Sequence, residues 1–264
     1  MKIGFVQFAP ALADLDATIH RLESLSPQFA GAELLVLPEL CNSGYNFVSE
    51  RQAAETAEQI ADSRFIRFLT ELSARHRMRI VSGLNERDGD KLYNTAVLIG
   101  PNGVIGKYRK LHLFLNEKDF FQPGDGGLPL FDVDGCKVGL LICFDWNFPE
   151  VWRALALKGA DIICHPSNLV IPGRAQRAIP VHAMVNRVYV ITANRIGSEG
   201  DLTYTGRSLV AAPSGDLLLE APPDQTWVGS VDVDVSLARD KQITPRNHLF
   251  ADRRPNQYRA LCDE

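Results

Sequence analysis

No run of about 18 apolar residues occurs anywhere in the 264-residue chain, so nothing in it reads as a membrane span. The apolar start, Met1–Phe8, is broken by Gln7 and followed by Pro10, too short for a signal-peptide core and better suited to a buried first strand. Positive charge is also scarce. Lys and Arg number 28 against 32 Asp and Glu, a net charge of −4, which offers nothing to nucleic acid or an anionic membrane surface. Cysteine is sparse and odd in number: Cys41, Cys136, Cys143, Cys164 and Cys262, with no Cys-x-x-Cys pair. That argues against a disulfide framework and points to reduced thiols in a cytoplasmic protein. Low-complexity linkers, composition breaks and internal repeats are absent, so residues 1–264 read as a single domain. The dinucleotide fingerprint Gly-x-Gly-x-x-Gly is missing too, because Ala9-Pro10-Ala11-Leu12 stands where it would follow the first strand. The glycine-rich piece Pro123–Gly127 lacks the Lys-Ser/Thr and the helix of a phosphate cradle.

What is present, 45% hydrophobic and 23% charged residues, suits an ordinary globular α/β protein with a sizeable core. Strand-like apolar runs fall at Ile3–Phe8, Glu33–Leu37, Arg79–Ser82, Thr95–Ile99, Lys137–Cys143, Asp161–Cys164, Val188–Ala193, Ser208–Ala212 and Trp227–Val233. Several lack alternation, as strands covered on both faces do. Helical spacing covers Asp14–Ala30, Arg64–Arg77, Pro149–Lys158 and Gly173–Arg187, with Pro180 expected to kink the last or mark its start. Pro101-Asn102-Gly103 and Pro213-Ser214-Gly215 read as turns between adjacent strands. This order alone leaves a Rossmann-like layout and a two-sheet sandwich both open.

Three segments can carry chemistry. A buried-strand pattern, Val138–Ile142, runs straight into Cys143, and Pro149-Glu150 then opens a helix. A side chain at such a junction can face a cleft, although a small buried core cysteine fits the pattern equally well. A thiol nucleophile needs a base, since only the thiolate attacks. None of the six histidines sits in a recognisable catalytic setting, and a carboxylate serves where burial raises its pKa. Glu39 ends a second apolar run, Leu34–Leu37, and is placed like Cys143; a cap or a salt bridge is its ordinary alternative. In the third segment, Lys107, Arg109 and Lys110 form a basic cluster that usually belongs to a solvated edge. The Leu111-His112-Leu113-Phe114 run after Lys110 turns that lysine inward, where it would stabilise a thiolate or an oxyanion. Cys164-His165 invites a metal or Cys–His reading, but adjacent side chains on a strand point to opposite faces.

Pro38-Glu39, Tyr108–Phe114 and Cys143–Glu150, in this order and spacing, resemble the nitrilase superfamily of carbon–nitrogen hydrolases over nearly the whole chain. The resemblance implies a four-layer α-β-β-α sandwich that pairs through helices into homodimers. It places the family's Glu–Lys–Cys triad on Glu39, Lys110 and Cys143, and its frequent second glutamate on Glu117. It implies no metal and no cofactor, and a small-molecule amide or nitrile as substrate. Trp146-Asn147 stands where many amidase branches have x-Arg, and Cys143-Phe144-Asp145 replaces the Cys-Trp-Glu of dedicated nitrilases.

On these residues the expected reaction is hydrolysis of small aliphatic amides through a thioester, with Lys110 and the Phe144 N–H holding the oxyanion. The alternatives are a nitrilase working through a thioimidate, an N-acyltransferase, and a non-catalytic scaffold that kept the fold. Tyr45, Phe144, Trp146 and Asn168 are the candidate pocket residues, each with a packing role as its ordinary alternative.

Overall fold

The computed structural model describes residues 1–261, so Cys262 lies outside it. One group of strands is β1 (Lys2–Gln7), β2 (Leu34–Val36), β3 (Arg79–Asp88), β4 (Lys91–Gly100), β5 (Gly103–Arg109) and β14 (Trp227–Asp232). A second is β6 (Leu130–Val133), β7 (Cys136–Leu140), β8 (Ile162–Pro166), β9 (Tyr189–Ala193), β12 (Leu209–Ala211) and β13 (Leu217–Glu220). They form two six-stranded sheets, ordered β14-β1-β2-β3-β4-β5 and β13-β12-β9-β8-β7-β6, while β10 (Ser198–Glu199) and β11 (Leu202–Thr203) pair as a small hairpin. Read from β5 and from β13, both sheets run antiparallel, antiparallel, parallel, parallel, antiparallel. The repeat that the sequence does not show is therefore present in the topology.

The period-2 geometry of β1 explains the layering. Ile3 and Phe5 face one core and Val6 faces another. The first core lies between the sheets, where Ile3, Phe5, Val36 and Val81 meet Leu140, Ile162, Cys164 and Ile191. On the outer face of the first sheet, α1 (Leu15–Leu25) and α3 (Arg64–His76) lay Leu22, Phe65, Leu69 and Leu72 over Leu35, Ile80 and Val97. The second sheet is covered by α5 (Pro149–Leu157) and α6 (Arg174–Asn186) through Trp152, Leu155, Ile179 and Ala183. Each such large apolar side chain, buried completely, contributes about 1.5–3 kcal/mol. The result is the expected α-β-β-α sandwich. Two short helices, α2 (Glu50–Glu55) and α4 (Glu117–Phe120), interrupt loops of the first half.

Several boundaries differ from the sequence reading. The first helix begins where the Asp14 carboxylate accepts from the Ala17 N–H (2.9 Å), but it ends at Leu25, not Ala30. Ser26-Pro27 turns the chain into a 3-10 segment through Phe29, since proline cannot donate to the helix. Conversely, α6 continues through Pro180 and does not start there. The strand expected over Lys137–Cys143 stops at Leu140, and Cys143 opens a 3-10 turn to Asn147. Lys107 and Arg109 lie on β5, with Lys110 just beyond it, and β5, β6 and β13 have no counterpart among the strand-like runs of the sequence. Among the described residues no helix is long and apolar enough to cross a membrane.

Candidate active site

Three loop junctions bring the candidates together. Beyond β2, the chain stays bonded to β3 through Leu37 N–H to Val81 O (2.8 Å), Gly83 N–H to Pro38 O (3.0 Å) and Cys41 N–H to Gly83 O (3.1 Å). Glu39 lies within this strap, and its own carbonyl accepts from Asn168 Nδ2 (3.0 Å). The next residue, Leu40, has φ +45°, a region that non-glycine residues avoid. Lys110 follows β5, and both of its main-chain groups are held, its N–H by Asn94 O and its carbonyl by Gly124 N–H, each at 2.8 Å. Cys143 has φ +38°. Its turn is built around buried Asp145, whose Oδ2 accepts from the Ile142 N–H and the Tyr108 hydroxyl (2.8 Å each) while Oδ1 lies 2.7 Å from His112 Nδ1.

At the centre, Lys110 Nζ donates to Glu39 Oε1 and to Glu117 Oε1, both at 2.7 Å and sealed from solvent. Asn94 Nδ2 adds a 2.7 Å bond to Glu39 Oε1, and the Tyr45 hydroxyl a 2.7 Å bond to Glu117 Oε1. Glu39 Oε2 is buried without a hydrogen-bond partner. Two carboxylates thus share one ammonium, and the titration behaviour reflects that shortage of positive charge. Burial, aided by the like charge of Glu39, pushes Glu117 up to about 7 against the pull of Lys110. Burial by itself pulls Lys110 down, but the two carboxylates outweigh it and hold the ammonium charged. Burial first, then the charge of Glu39, drives the Cys143 thiol well above its ordinary value, with Lys110 and the Asn168 N–H opposing. The resting sulfur is therefore a thiol.

Cys143, Phe144, Trp146 and Asn168 line one cleft of ≈ 280 Å³ with Phe114. Tyr45 is not on its wall. It lines a neighbouring cavity of ≈ 590 Å³ with Phe47, Asn116 and the back of Glu117. Buried Glu199 fixes Tyr45 there, accepting from the Tyr45 and Asn46 N–H groups (3.0 and 2.8 Å) while paired to Arg195. Of the basic cluster only Lys110 enters the site. Arg109 turns to Glu86 and stacks over Tyr93. Cys41, Cys136 and Cys164 are buried free thiols outside this arrangement. Asn94, Asp145 and His165 were missed from sequence. Asn94 and His165 at least carry a signal, as polar residues inside otherwise apolar strands.

The carbon–nitrogen hydrolase family model matches residues 2–242. A nitrilase of Pyrococcus abyssi is 45% identical over 260 residues, 98% of this chain and 99% of the relative. An (R)-stereoselective amidase of Pseudomonas sp. is 34% identical, covering 89% of this chain and 86% of the relative. Among solved structures, an amidase from Nesterenkonia sp. matches 99% of this chain and 96% of its own, with a TM-score of 0.81 at 26% identity. A mutant of that amidase carries the acetamide moiety of fluoroacetamide on its active-site cysteine. With a family match across most of its length and relatives of this similarity, the chain belongs to the carbon–nitrogen hydrolases of the nitrilase superfamily.

Proposed function

We propose that this enzyme hydrolyses small aliphatic amides through a thioester on Cys143, releasing ammonia and a carboxylic acid. The observation that carries the reading is Glu39 itself. One carboxylate oxygen is anchored by Lys110 and Asn94, and the other is buried and unpartnered, free to accept a proton in the environment that Cys143 shares. In the scheme, Glu39 takes the Cys143 proton as sulfur attacks the amide carbon. Lys110 and the Phe144 N–H hold the oxyanion, each such donor contributing about 2.7–4 kcal/mol. Glu39 then protonates the leaving nitrogen, ammonia departs, and water activated by Glu39 or Glu117 cleaves the thioester. The narrow cleft with its aromatic walls favours short, neutral acyl groups. A thiol in this role calls for a reducing compartment such as the cytoplasm.

Nitrile hydrolysis through a thioimidate is the second reading, favoured by the 45% identity to a relative named a nitrilase. Paired amide and nitrile substrates of equal chain length, with ammonia release as the readout, test the choice. Faster amide turnover is expected, and equal or faster nitrile turnover overturns the preference. An exchanged amide formed with hydroxylamine at the expense of free acid would instead mark an acyltransferase. Cys143→Ala abolishes turnover in every version, and activity surviving it sinks the scheme. Pairing of two copies through helices belongs to the same reading, on the exposed Leu157, Val181 and Met184 of α5 and α6. Sedimentation at about twice the 29.2 kDa chain mass supports it, and a monomer refutes it.

A further inference from the structure

His165 is completely buried on β8, directly beneath the Cys143 turn. Its Nε2 lies 2.8 Å from the main-chain oxygen of Cys143. A carbonyl only accepts, so Nε2 carries the proton and Nδ1 is left as an acceptor, satisfied by the hydroxyls of Thr192 (3.1 Å) and Ser167 (3.2 Å). Both ring nitrogens are thus committed, and neither is free to serve as base for the thiol. The partner that His165 does hold is informative. Peptide bonds in the described residues are all trans, so the Cys143 carbonyl and the Phe144 N–H point in opposite directions across one plane. Pinning the carbonyl to β8 turns the Phe144 N–H to the opposite side of that peptide plane, and Cys143 and Phe144 both line the cleft.

The geometry points to His165 as a positioning residue that fixes the Cys143–Phe144 peptide plane and thereby presents the Phe144 N–H to the oxyanion. It rests on the thioester reading above and deepens it. The strain of Cys143 at φ +38° gives the anchor a task, because a turn in a disfavoured region relaxes unless its surroundings over-determine it. Asp145 holds the turn from the Ile142 side, and His165 holds it from the carbonyl that Asp145 does not reach. The ring's neutrality is consistent with the role: burial lowers it to about 4, against the bond to Cys143, so Nε2 donates and Nδ1 accepts across the physiological range.

The test compares His165→Gln with His165→Asn, two buried polar replacements of similar folding cost. The glutamine amide reaches about where Nε2 stands and can still donate to the carbonyl, whereas the shorter asparagine stops near Nδ1. Two rates are read on the full chain: amide turnover, which passes through an oxyanion, and alkylation of Cys143 by iodoacetamide. In alkylation a sulfur–carbon bond forms as iodide leaves, with the thiol proton taken by Glu39, and no oxyanion arises. Asparagine is expected to lower kcat about 10²–10³-fold, the loss seen when one oxyanion donor is removed. Glutamine should stay within about tenfold of wild type, and both should alkylate within about threefold of it. Equal turnover of the two variants overturns the inference. So does a loss of alkylation matching the loss of turnover, which would mean that His165 merely supports the thiol. A wild-type protein that is alkylated but hydrolyses neither amide nor nitrile would sink the thioester reading instead.

Discussion

Gly83 is where the backbone of β3 comes closest to Glu39, and replacing it with alanine tests whether that approach sets the site. A methyl group there would lie 2.3 Å from Leu40 N, 2.4 Å from Glu39 Cα and 2.6 Å from the Glu39 carbonyl carbon. Ordinary carbon contacts are about 3.5–4.0 Å, so the strap and the strand must part by roughly 1 Å or more. All three clashing atoms are main chain, and no side-chain rotation relieves them. Parting them stretches the Gly83–Pro38 and Cys41–Gly83 hydrogen bonds, and Leu40 at φ +45° has little room to adjust. Overpacking of this kind costs about 1–3 kcal/mol, and each kcal/mol moves Tm by roughly 2–4 °C at this size, for a fall of about 2–12 °C. The effect on rate should be larger in proportion. Moving a proton acceptor by about 1 Å costs on the order of 10²-fold in turnover. Gly126→Ala is the control, because a methyl there meets nothing within 4 Å. Thermal melting by circular dichroism and amide kcat/KM on both variants decide the matter. Turnover of Gly83→Ala within about twofold of wild type, with Tm unmoved, refutes the claim that this contact positions Glu39.

Lys110→Met strips the two buried carboxylates of their shared cation and should cost about 3–5 kcal/mol by urea denaturation; an unchanged midpoint refutes the central role of the ammonium. Glu117, raised from 4.5 to about 7, binds a proton on folding between those values, so the stability it contributes is full at low pH and lost as pH rises through that window. Glu117→Gln should therefore gain stability relative to wild type as pH climbs from 4.5 to about 7, by up to roughly 1.4 kcal/mol per pH unit, and a flat difference contradicts the assignment.

Glu39 and Cys143 are legible because each ends an apolar run, and a strand end is where a parallel sheet presents its side chains to a cleft. Lys110 is harder, since its two basic neighbours suggest a solvated edge. What hides its strand is composition. Gly103 and Gly106 weaken the strand signal of β5, whose Val104 and Ile105 are exposed besides. Gly106 is there because the ring of Phe131 from the other sheet fills the space, with a Cβ falling 2.0 Å from Cε1. Such a requirement comes from a residue 25 positions away and leaves no local trace. Asp145 looks like an ordinary acid ahead of a helix, and only its three partners, Ile142, Tyr108 and His112, reveal it as the keystone of the turn. Pro180 misleads for the opposite reason: a strong local breaker is overridden because α6 is held by Ile179 and Ala183 in the core.

Each sheet contributes one half of the site, and each half stores strain beside its key residue, Leu40 at φ +45° next to Glu39 and Cys143 at φ +38°. Neither conformation is favoured by its own residue, so each must be imposed from outside. On the Glu39 side the constraint is Gly83, and on the Cys143 side it is Asp145 with His165. Asn168 couples the two. Its side chain donates to the Glu39 carbonyl while the residue lines the cleft beside Cys143, and its side-chain oxygen is left buried and unpaired. A residue bonded to the Glu39 main chain that lines the same cleft as Cys143 bears on the separation of the proposed base and nucleophile. Proton transfer between a buried carboxylate and a thiol held neutral depends steeply on that separation. Asn168, two residues past β8, thus joins the buried Tyr108–Asp145 and Ser208–Gln7 bonds in tying the half of the site on one sheet to the half on the other.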